Sequence, residues 1–392
     1  MARRYDVIVI GGGVMGLAIA VELRGRGAGS VLLLERRFLG AGSSGKSGAI
    51  LRQHYSHPET IRMARTSLFE FASFHERTGL DIGFTRTGML FIAAAGESDA
   101  LAQNVRVQQG EGVLVTLLDA AALRELAPGA RCDDVVAAWE PEAGYVDPVR
   151  TLGAFGSEAR RAGAEIELGA EVVGLRTAGG SGRVTGVETR DGVIEAGTVV
   201  AATGPWSARL LAGLGVTLPL EVVRPSQAFL RPPSSMDPPH PIVADLPHAV
   251  YFKPEPGGTR VGSIAYDADP RVDDPDDYDE SVTDAFLKDA RQRVARRFPD
   301  YESAILWGGG SGLYTVTPDA HPVIGPLAGL ENFFLVTGFS GHGFKLSPMV
   351  GRGVAEWIVD GAPRSFDRSF FAADRFGRAT NISTSYRYKI LG

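Results

Sequence analysis

One N-terminal segment restricts the possible folds more than any other: Tyr5-Asp6-Val7-Ile8-Val9-Ile10, then Gly11-Gly12-Gly13-Val14-Met15-Gly16, then Leu17 through Leu23 and Val31-Leu32-Leu33-Leu34-Glu35. The apolar run Val7 to Ile10 is too short to span a membrane and too continuous for a strand with one wet face, so a buried parallel strand is expected. Strand, glycine turn, helix and second strand follow in the register of a nucleotide-binding βαβ unit. Gly11 permits the turn, Gly13 lets backbone approach a pyrophosphate, and Gly16 lets the helix pack against the sheet. Val14 and Met15 lie between these glycines as cofactor-binding candidates, and the positive end of the following helix faces the phosphates. Glu35 closes the unit where a carboxylate accepts hydrogen bonds from ribose hydroxyls and disfavours a 2′-phosphate, with Arg36 beside it. The pattern expects an adenosine dinucleotide and does not by itself separate NAD from FAD.

At 392 residues, 44% of them hydrophobic and 22% charged, the chain is long enough for two domains. Lys plus Arg number 40 and Asp plus Glu 46, so the net charge of −6 gives no electrostatic reason to expect nucleic acid. A small anionic substrate would need local positive charge. The single cysteine, Cys132, excludes an internal disulfide and a cysteine-based zinc site and fits a reducing cytoplasm. No apolar run reaches the ~18 residues of a transmembrane helix. Arg3-Arg4 precedes a strand rather than an export signal. A cytoplasmic protein without membrane contact or metal is expected.

After Glu35 comes a long loop of small residues through Arg52. Its Ser43, Ser44, Lys46, Ser47, Gly48 and Ala49 suit close approach to a flat ligand. Apolar residues at Ile61, Ala64, Leu68, Phe71 and Phe74 predict one helix over 58–77. A strand over 88–94 and helices over 97–109 and 120–126 form a first excursion into a second domain. A helix over 148–161 is followed by alternating strands over 165–168, 171–175 (with Val172), 184–189 and 192–195. A separate buried strand then ends in Thr203-Gly204-Pro205-Trp206 and returns the chain to the nucleotide domain. Strands over 220–230, 249–253 and 260–265 belong again to the second domain. The acidic loop 267–280, with Pro270 and Pro275, reads as a solvated surface segment before a helix over 281–298. The expected domains are 1–85, 147–219 and 306–366 for the nucleotide, 86–146 and 220–305 for the substrate. The basic tail 367–392, with Arg375, Arg378, Arg387 and Lys389, could pack on the body, join subunits or fray.

The most informative later stretch is Ser311-Gly312-Leu313-Tyr314-Thr315-Val316-Thr317-Pro318-Asp319-Ala320-His321-Pro322-Val323-Ile324-Gly325-Pro326, followed by Thr337-Gly338-Phe339-Ser340-Gly341-His342-Gly343-Phe344-Lys345-Leu346-Ser347-Pro348. Residues 338–345 read as a glycine-rich turn opening a helix at about Ser347, with Pro348 in its first turn. Together with the N-terminal unit and the Ala-Thr-Gly-Pro-Trp strand end, this resembles the glycine oxidase/sarcosine oxidase group of FAD-dependent amine and amino-acid oxidases, related to D-amino-acid oxidase, across nearly the whole chain. The resemblance implies an α/β fold of the glutathione-reductase-like type, in which a Rossmann-type FAD-binding domain carries a second, mostly antiparallel substrate domain. It implies an amine or amino-acid substrate and O2, or another acceptor, for the electrons. A monomer or homodimer is expected.

Carried over residue by residue, Lys345 matches the lysine and Arg52 the arginine that hold the substrate carboxylate in sarcosine oxidases, a two-cation clamp. Tyr251 and Tyr314 match aromatic pocket residues. Gly341, His342, Gly343 and Phe344 fall in the turn whose helix end would stabilise negative charge on the reduced flavin. His342 is expected to pack rather than act as a base, and His321 to be structural. Three positions depart from the pattern. The cysteine that tethers FAD in monomeric sarcosine oxidases is Gly312 here, so FAD is expected to be non-covalent. An arginine under the flavin ring is Ala49, and the oxygen-activating lysine aligns with Arg260, with Lys253 as a nearby substitute. Two other readings stay open: a proline- or dimethylglycine-type dehydrogenase, and a nucleotide-binding protein without turnover.

Overall fold

Val7, Ile8, Val9 and Ile10 are all buried, and the strand they end, Arg3–Ile10, lies at the middle of a mostly parallel sheet. The structure, a computed structural model, describes residues 3–179, 182–232, 240–265, 268–378 and 382. Arg3–Ile10 pairs in parallel with Val31–Glu35 on one side and Gly192–Ala201 on the other. Val31–Glu35 in turn carries Glu165–Leu168, and Phe333–Thr337 continues the sheet beyond Gly192–Ala201. Helices Val14–Gly25 and Gly343–Asp360 pack against each other and bury their apolar faces in one core with the sheet.

A second eight-stranded sheet runs in the order Ile305–Ser311, Ser226–Arg231, Gly258–Ser263, Val250–Glu255, Ile242–Asp245, Met89–Ala94, Val135–Glu140, Thr116–Leu118. Every neighbouring pair is antiparallel except Ile242–Asp245 with Met89–Ala94. Helix Asp284–Arg297 covers one face through Leu287, Ala290 and Val294. A short ladder joins the two halves: Ile50–Leu51 and Thr85–Arg86 both pair with Gly144–Tyr145. The fold is therefore the mixed α/β architecture expected, and no helix among the described residues is long and apolar enough to cross a membrane.

Several local expectations need correction. The helix over 58–77 breaks at Ser73 into Pro58–Ala72 and Phe74–Thr78, where the Ser73 hydroxyl donates to the Phe69 carbonyl at 2.8 Å and competes with the helical ladder. Residues 192–201 form one strand, not two. Its first half pairs with hairpin strand Val184–Thr189 and its second half with Phe333–Thr337, which accounts for the change from alternating to continuous apolar residues. The strand over 220–230 is two, Glu221–Val223 and Ser226–Arg231, in different sheets, separated at Arg224-Pro225 where proline removes a ladder donor. The last long helix starts at Gly343, so Pro348 lies inside it rather than in its first turn. In the tail, Arg375 holds Asp319 at 2.8 Å, while Arg387 and Lys389 lie outside the described residues.

Candidate active site

Gly11 has φ of +109°, and a Cβ there would come within 2.5 Å of the Ala202 carbonyl oxygen, so the turn admits no side chain. Gly16 meets the Gly11 carbonyl in the same way and is a packing residue that does not line the cleft. Gly13 caps helix Val14–Gly25 with neither a side-chain hydrogen bond nor an acidic residue in the first turn. The positive helix end is thus left for a ligand. The Val14 amide donates to Ser44 Oγ at 3.1 Å, which brings the small-residue loop to the same point. Glu35 accepts from the Gly12 amide at 2.7 Å and the Arg37 amide at 2.8 Å, one on each oxygen, and each oxygen keeps a second lone pair for a ribose hydroxyl.

A cleft of about 640 Å³ begins at Glu35, Arg36 and Val172 and passes Gly11, Gly13, Val14 and Met15. It continues along Ser43, Ser44, Lys46 and Ser47 on one wall and Thr203, Gly204 and Trp206 on the other, and ends at Gly312, Tyr314, Gly341, Gly343 and Phe344. A glycine-capped helix end without an acidic first turn, a carboxylate at the end of the second strand and a long cleft that reaches the second sheet together fit FAD. The described residues of loop 267–280 are mostly exposed, as expected of a solvated surface segment, but several of its acids also pair with the cleft rim. Asp276 pairs with Arg36 at 2.6 Å and Arg209 at 2.6 Å and accepts from the Trp206 indole at 3.0 Å, while Arg36 stacks over Trp206 at 4.2 Å. Asp274 also takes Arg209 at 2.6 Å, and Lys46 donates to Tyr278 at 2.6 Å and Glu280 at 2.5 Å. The hydrogen bond from Arg36 is foremost in pulling the Asp276 carboxyl down to about 2. Described residues of the acidic loop therefore strap the cofactor loop, because the cleft rim presents three cations that attract it. Asp267 lies outside the described residues.

A smaller cavity of about 70 Å³ opens off the cleft, with Ser47, Tyr314, Gly341 and Phe344 shared between them. Gly48, Ala49, Arg52, Tyr251, His342 and Lys345 also line it. The ladder of Ile50–Leu51 with Gly144–Tyr145 carries Arg52 inward, where it is 5% exposed, stacks 4.2 Å from the Tyr55 ring centre and donates to the His54 carbonyl. Lys345 is 7% exposed in the first turn of its helix, and its ammonium donates to the His342 carbonyl at a long 3.5 Å. Burial first, and Arg52 second, push its pKa well below the usual lysine value. His342 donates from Nε2 to the Ala320 carbonyl at 2.7 Å, and its Nδ1 is buried without a hydrogen-bond partner among the described residues. Burial keeps this imidazole neutral.

The second sheet supplies the opposite wall. Gln227 donates to the Tyr251 hydroxyl at 3.3 Å, and Tyr251 is hydrogen-bonded to Tyr314. Arg260 donates to Gln227 Oε1 at 2.6 Å and to Glu255 at 2.5 Å. Lys253, 2% exposed, pairs with the same Glu255 at 2.9 Å and sits 3.9 Å over the Tyr145 ring. Burial presses its pKa down to about 8. Three of these side chains converge on the loop: a Cβ on Gly48 would lie 3.7 Å from Arg260 Cδ, 3.9 Å from the Tyr251 hydroxyl and 4.0 Å from Lys253 Cε.

One set of residues has no motif. Glu140 is fully buried at the end of strand Val135–Glu140, where its Oε1 accepts from the Gln53 amide at 2.6 Å and the Gln53 side chain at 3.1 Å. His54 stacks on Phe91 at 3.8 Å with Asn104 at 3.2 Å and Gln108 at 3.1 Å from its ring nitrogens. The available signal was a single carboxylate closing an otherwise apolar strand just before Pro141.

Over residues 6–357 the chain matches the FAD dependent oxidoreductase family. It is 28% identical to 4-methylaminobutanoate oxidase (formaldehyde-forming) of Paenarthrobacter nicotinovorans, with 95% of this chain aligned to 46% of that protein, so it spans about half of that relative's length. It is 28% identical to glycine oxidase of Geobacillus kaustophilus over 96% of this chain and 98% of that one. Among solved structures, L-proline dehydrogenase from P. horikoshii superposes with a TM-score of 0.88 at 28% identity, covering 97% of this chain and 99% of the other. Since the match runs from the first strand into the last long helix, over the residues that build the cleft, the chain belongs to the FAD dependent oxidoreductase family and FAD is its cofactor.

Proposed function

We propose that the protein oxidises the carbon–nitrogen bond of a secondary, N-methyl amino acid in the 70 Å³ cavity and passes the electrons to O2, forming hydrogen peroxide. The observation that carries this reading is the pair of buried cations, Arg52 and Lys345, on one small cavity at the end of the FAD cleft. Two cationic side chains on one small cavity suit an anionic group, and a substrate carboxylate is such a group. FAD supplies the two-electron acceptor for the hydride on the carbon beside nitrogen. Arg52 and Lys345 orient the carboxylate, so that the amine end of the substrate lies toward Tyr251, Tyr314 and the cleft. The loop 43–49 and the second sheet exclude water from the reacting centre, and the imine product hydrolyses after release.

The relative named 4-methylaminobutanoate oxidase supports an N-methyl amino acid, and the L-proline dehydrogenase neighbour supports the second reading, a dehydrogenase with another acceptor. Lys253 favours the oxidase, because it keeps a buried ammonium beside the loop that faces the ring. The FAD is held non-covalently, since glycine stands at position 312 and Cys132 is remote in sequence from every cleft residue named above. Acid precipitation should leave the yellow colour in solution. Anaerobic mixing with N-methyl amino acids, proline, glycine and D-amino acids tests the reaction itself: bleaching by an N-methyl amino acid is expected, and no bleaching by any amine removes the reading. Reoxidation in aerated buffer no faster than free reduced flavin would leave the dehydrogenase.

A further inference from the structure

Arg52, Lys345 and Glu140 come from three different elements, the cofactor loop, the last long helix and the second sheet, yet they interact as one buried charge cluster. Glu140 is the cross-strand partner of Met89, which itself lines the 70 Å³ cavity. One of its oxygens holds the backbone of Gln53, the residue after Arg52, at 2.6 Å. The other, Oε2, has no hydrogen-bond partner among the described residues. A carboxylate that is 0% exposed with one oxygen unbonded is costly; the Gln53 bonds and then Arg52 lower that cost, but burial outweighs them and raises the carboxyl to about 7, so Glu140 carries its charge above that pH. His54 and His342 pack on the same cluster and burial holds both neutral, so they leave the balance unchanged.

We propose that Glu140 is a positioning residue and the resident counter-anion of the Arg52–Lys345 clamp, so that the cavity admits substrates with one carboxylate and disfavours those with two. This rests on the reading that the cavity takes a substrate carboxylate. With Glu140 ionised, above about pH 7, and Lys345 protonated as a carboxylate binds, two cations and one anion leave room for a single further negative charge. A monocarboxylate brings the cluster to neutrality. A second carboxylate adds an anion with no cation to meet it, and a carboxyl-free amine leaves a cation unmatched. In a site closed to water such an imbalance is not screened. The anchoring bond to Gln53 has a second effect, since it fixes the backbone from which Arg52 projects.

Malonate and malonamate have nearly the same shape and differ by one charge. Titrating each into the FAD-loaded protein at pH 8.5, above the value of about 7 to which burial raises Glu140, and following the flavin spectrum measures the preference directly. The wild-type protein should bind malonamate at least about tenfold more tightly, the scale of a like-charge mismatch in a desolvated site. Glu140→Gln keeps an acceptor for the Gln53 amide but removes the charge, and should narrow that preference by about tenfold. Glu140→Asp keeps the charge and should restore it. Equal wild-type binding of the two acids, or a preference unchanged in Glu140→Gln, overturns the assignment and leaves the clamp standing. Failure of both acids to bind overturns the clamp reading and this inference with it. The wild-type comparison needs no variant, so the test survives if Glu140→Gln does not fold.

Discussion

Lys253 and Arg260 face each other across adjacent antiparallel strands and share one carboxylate, Glu255, at 2.9 and 2.5 Å. Arg260 spends a further donor on Gln227, whereas Lys253 is the more deeply buried of the two and rests on the Tyr145 ring. If the protein is the oxidase proposed above, Lys253, with a compact ammonium, is the better candidate for oxygen activation than Arg260, the residue that aligns with the sarcosine oxidase lysine.

Lys253→Met should therefore slow reoxidation of the reduced protein by O2 by about 10²-fold, the scale of removing one preorganised charge, with anaerobic reduction nearly intact. Arg260→Met should cost less. The rate should also decline as pH rises through about 8, where Lys253 loses its proton, rather than near its ordinary value. Stopped-flow mixing with aerated buffer measures all three, and a larger loss in Arg260→Met would return the role to the arginine.

Removing the charge at Arg52 or Lys345 should weaken binding of a carboxylate ligand by about 1.5–3 kcal/mol, with a smaller effect on an uncharged amine. In the free protein Lys345 is held well below its usual value by burial and by Arg52, and Glu140 acts in the opposite sense. A bound carboxylate reverses the depression, so binding draws in a proton and affinity falls as pH rises. Dye-monitored proton uptake in weak buffer checks the sign; no uptake would mean that Lys345 is already charged in the free protein.

Asp276→Asn should speed FAD loss by about 2–5-fold, the range of a partly exposed ion pair, and salt should reproduce part of the effect in the wild-type protein. The fluorescence of released flavin after dilution follows it. An unchanged rate would mean that the strap over Arg36 and Trp206 does not retain the cofactor.

Burial first raises Glu140 from the ordinary 4.5 to about 7. A carboxyl with a raised value is most favourable while protonated, so its contribution is full below about pH 4.5 and is lost as pH climbs through about 7. Glu140→Gln should flatten that decline by up to about 3 kcal/mol. Urea unfolding of the wild type and variant at pH 5 and 8 gives the difference, and parallel pH profiles would show that the carboxyl is not buried as the fold has it.

The dinucleotide unit was legible because its determinants are contiguous: Gly11, Gly13, Gly16 and Glu35 state the turn, the packing and the ribose acid within one short segment. The second sheet was legible only in pieces, since Met89–Ala94 and Ile242–Asp245 pair across a long stretch of chain that no period reveals. The acidic loop was rightly read as a surface segment, but its pairing with the cleft rim was not legible, for the same reason. Its aspartates look like any solvated run until Arg36, Lys46 and Arg209 are brought beside them by the fold. Pro348 misled differently. Proline favours a first helical turn, and here it is tolerated deeper, in a helix that starts at Gly343. Glu140 belongs to no spacing at all; only its depth distinguishes it from a surface carboxylate.

The short ladder that Gly144–Tyr145 makes with Ile50–Leu51 and Thr85–Arg86 lies where a two-part enzyme often keeps its hinge. Hydrogen-bonded on both edges, and continuing directly into helix Pro148–Arg161 against Val14–Gly25, it acts as a weld. Swinging one half away from the other would break that ladder and shift Arg52 off the cavity. Met89, Ala244 and Ile264 line the 70 Å³ cavity outside this ladder, so changing them should alter the shape of the chamber while leaving the ladder that carries Arg52 in place.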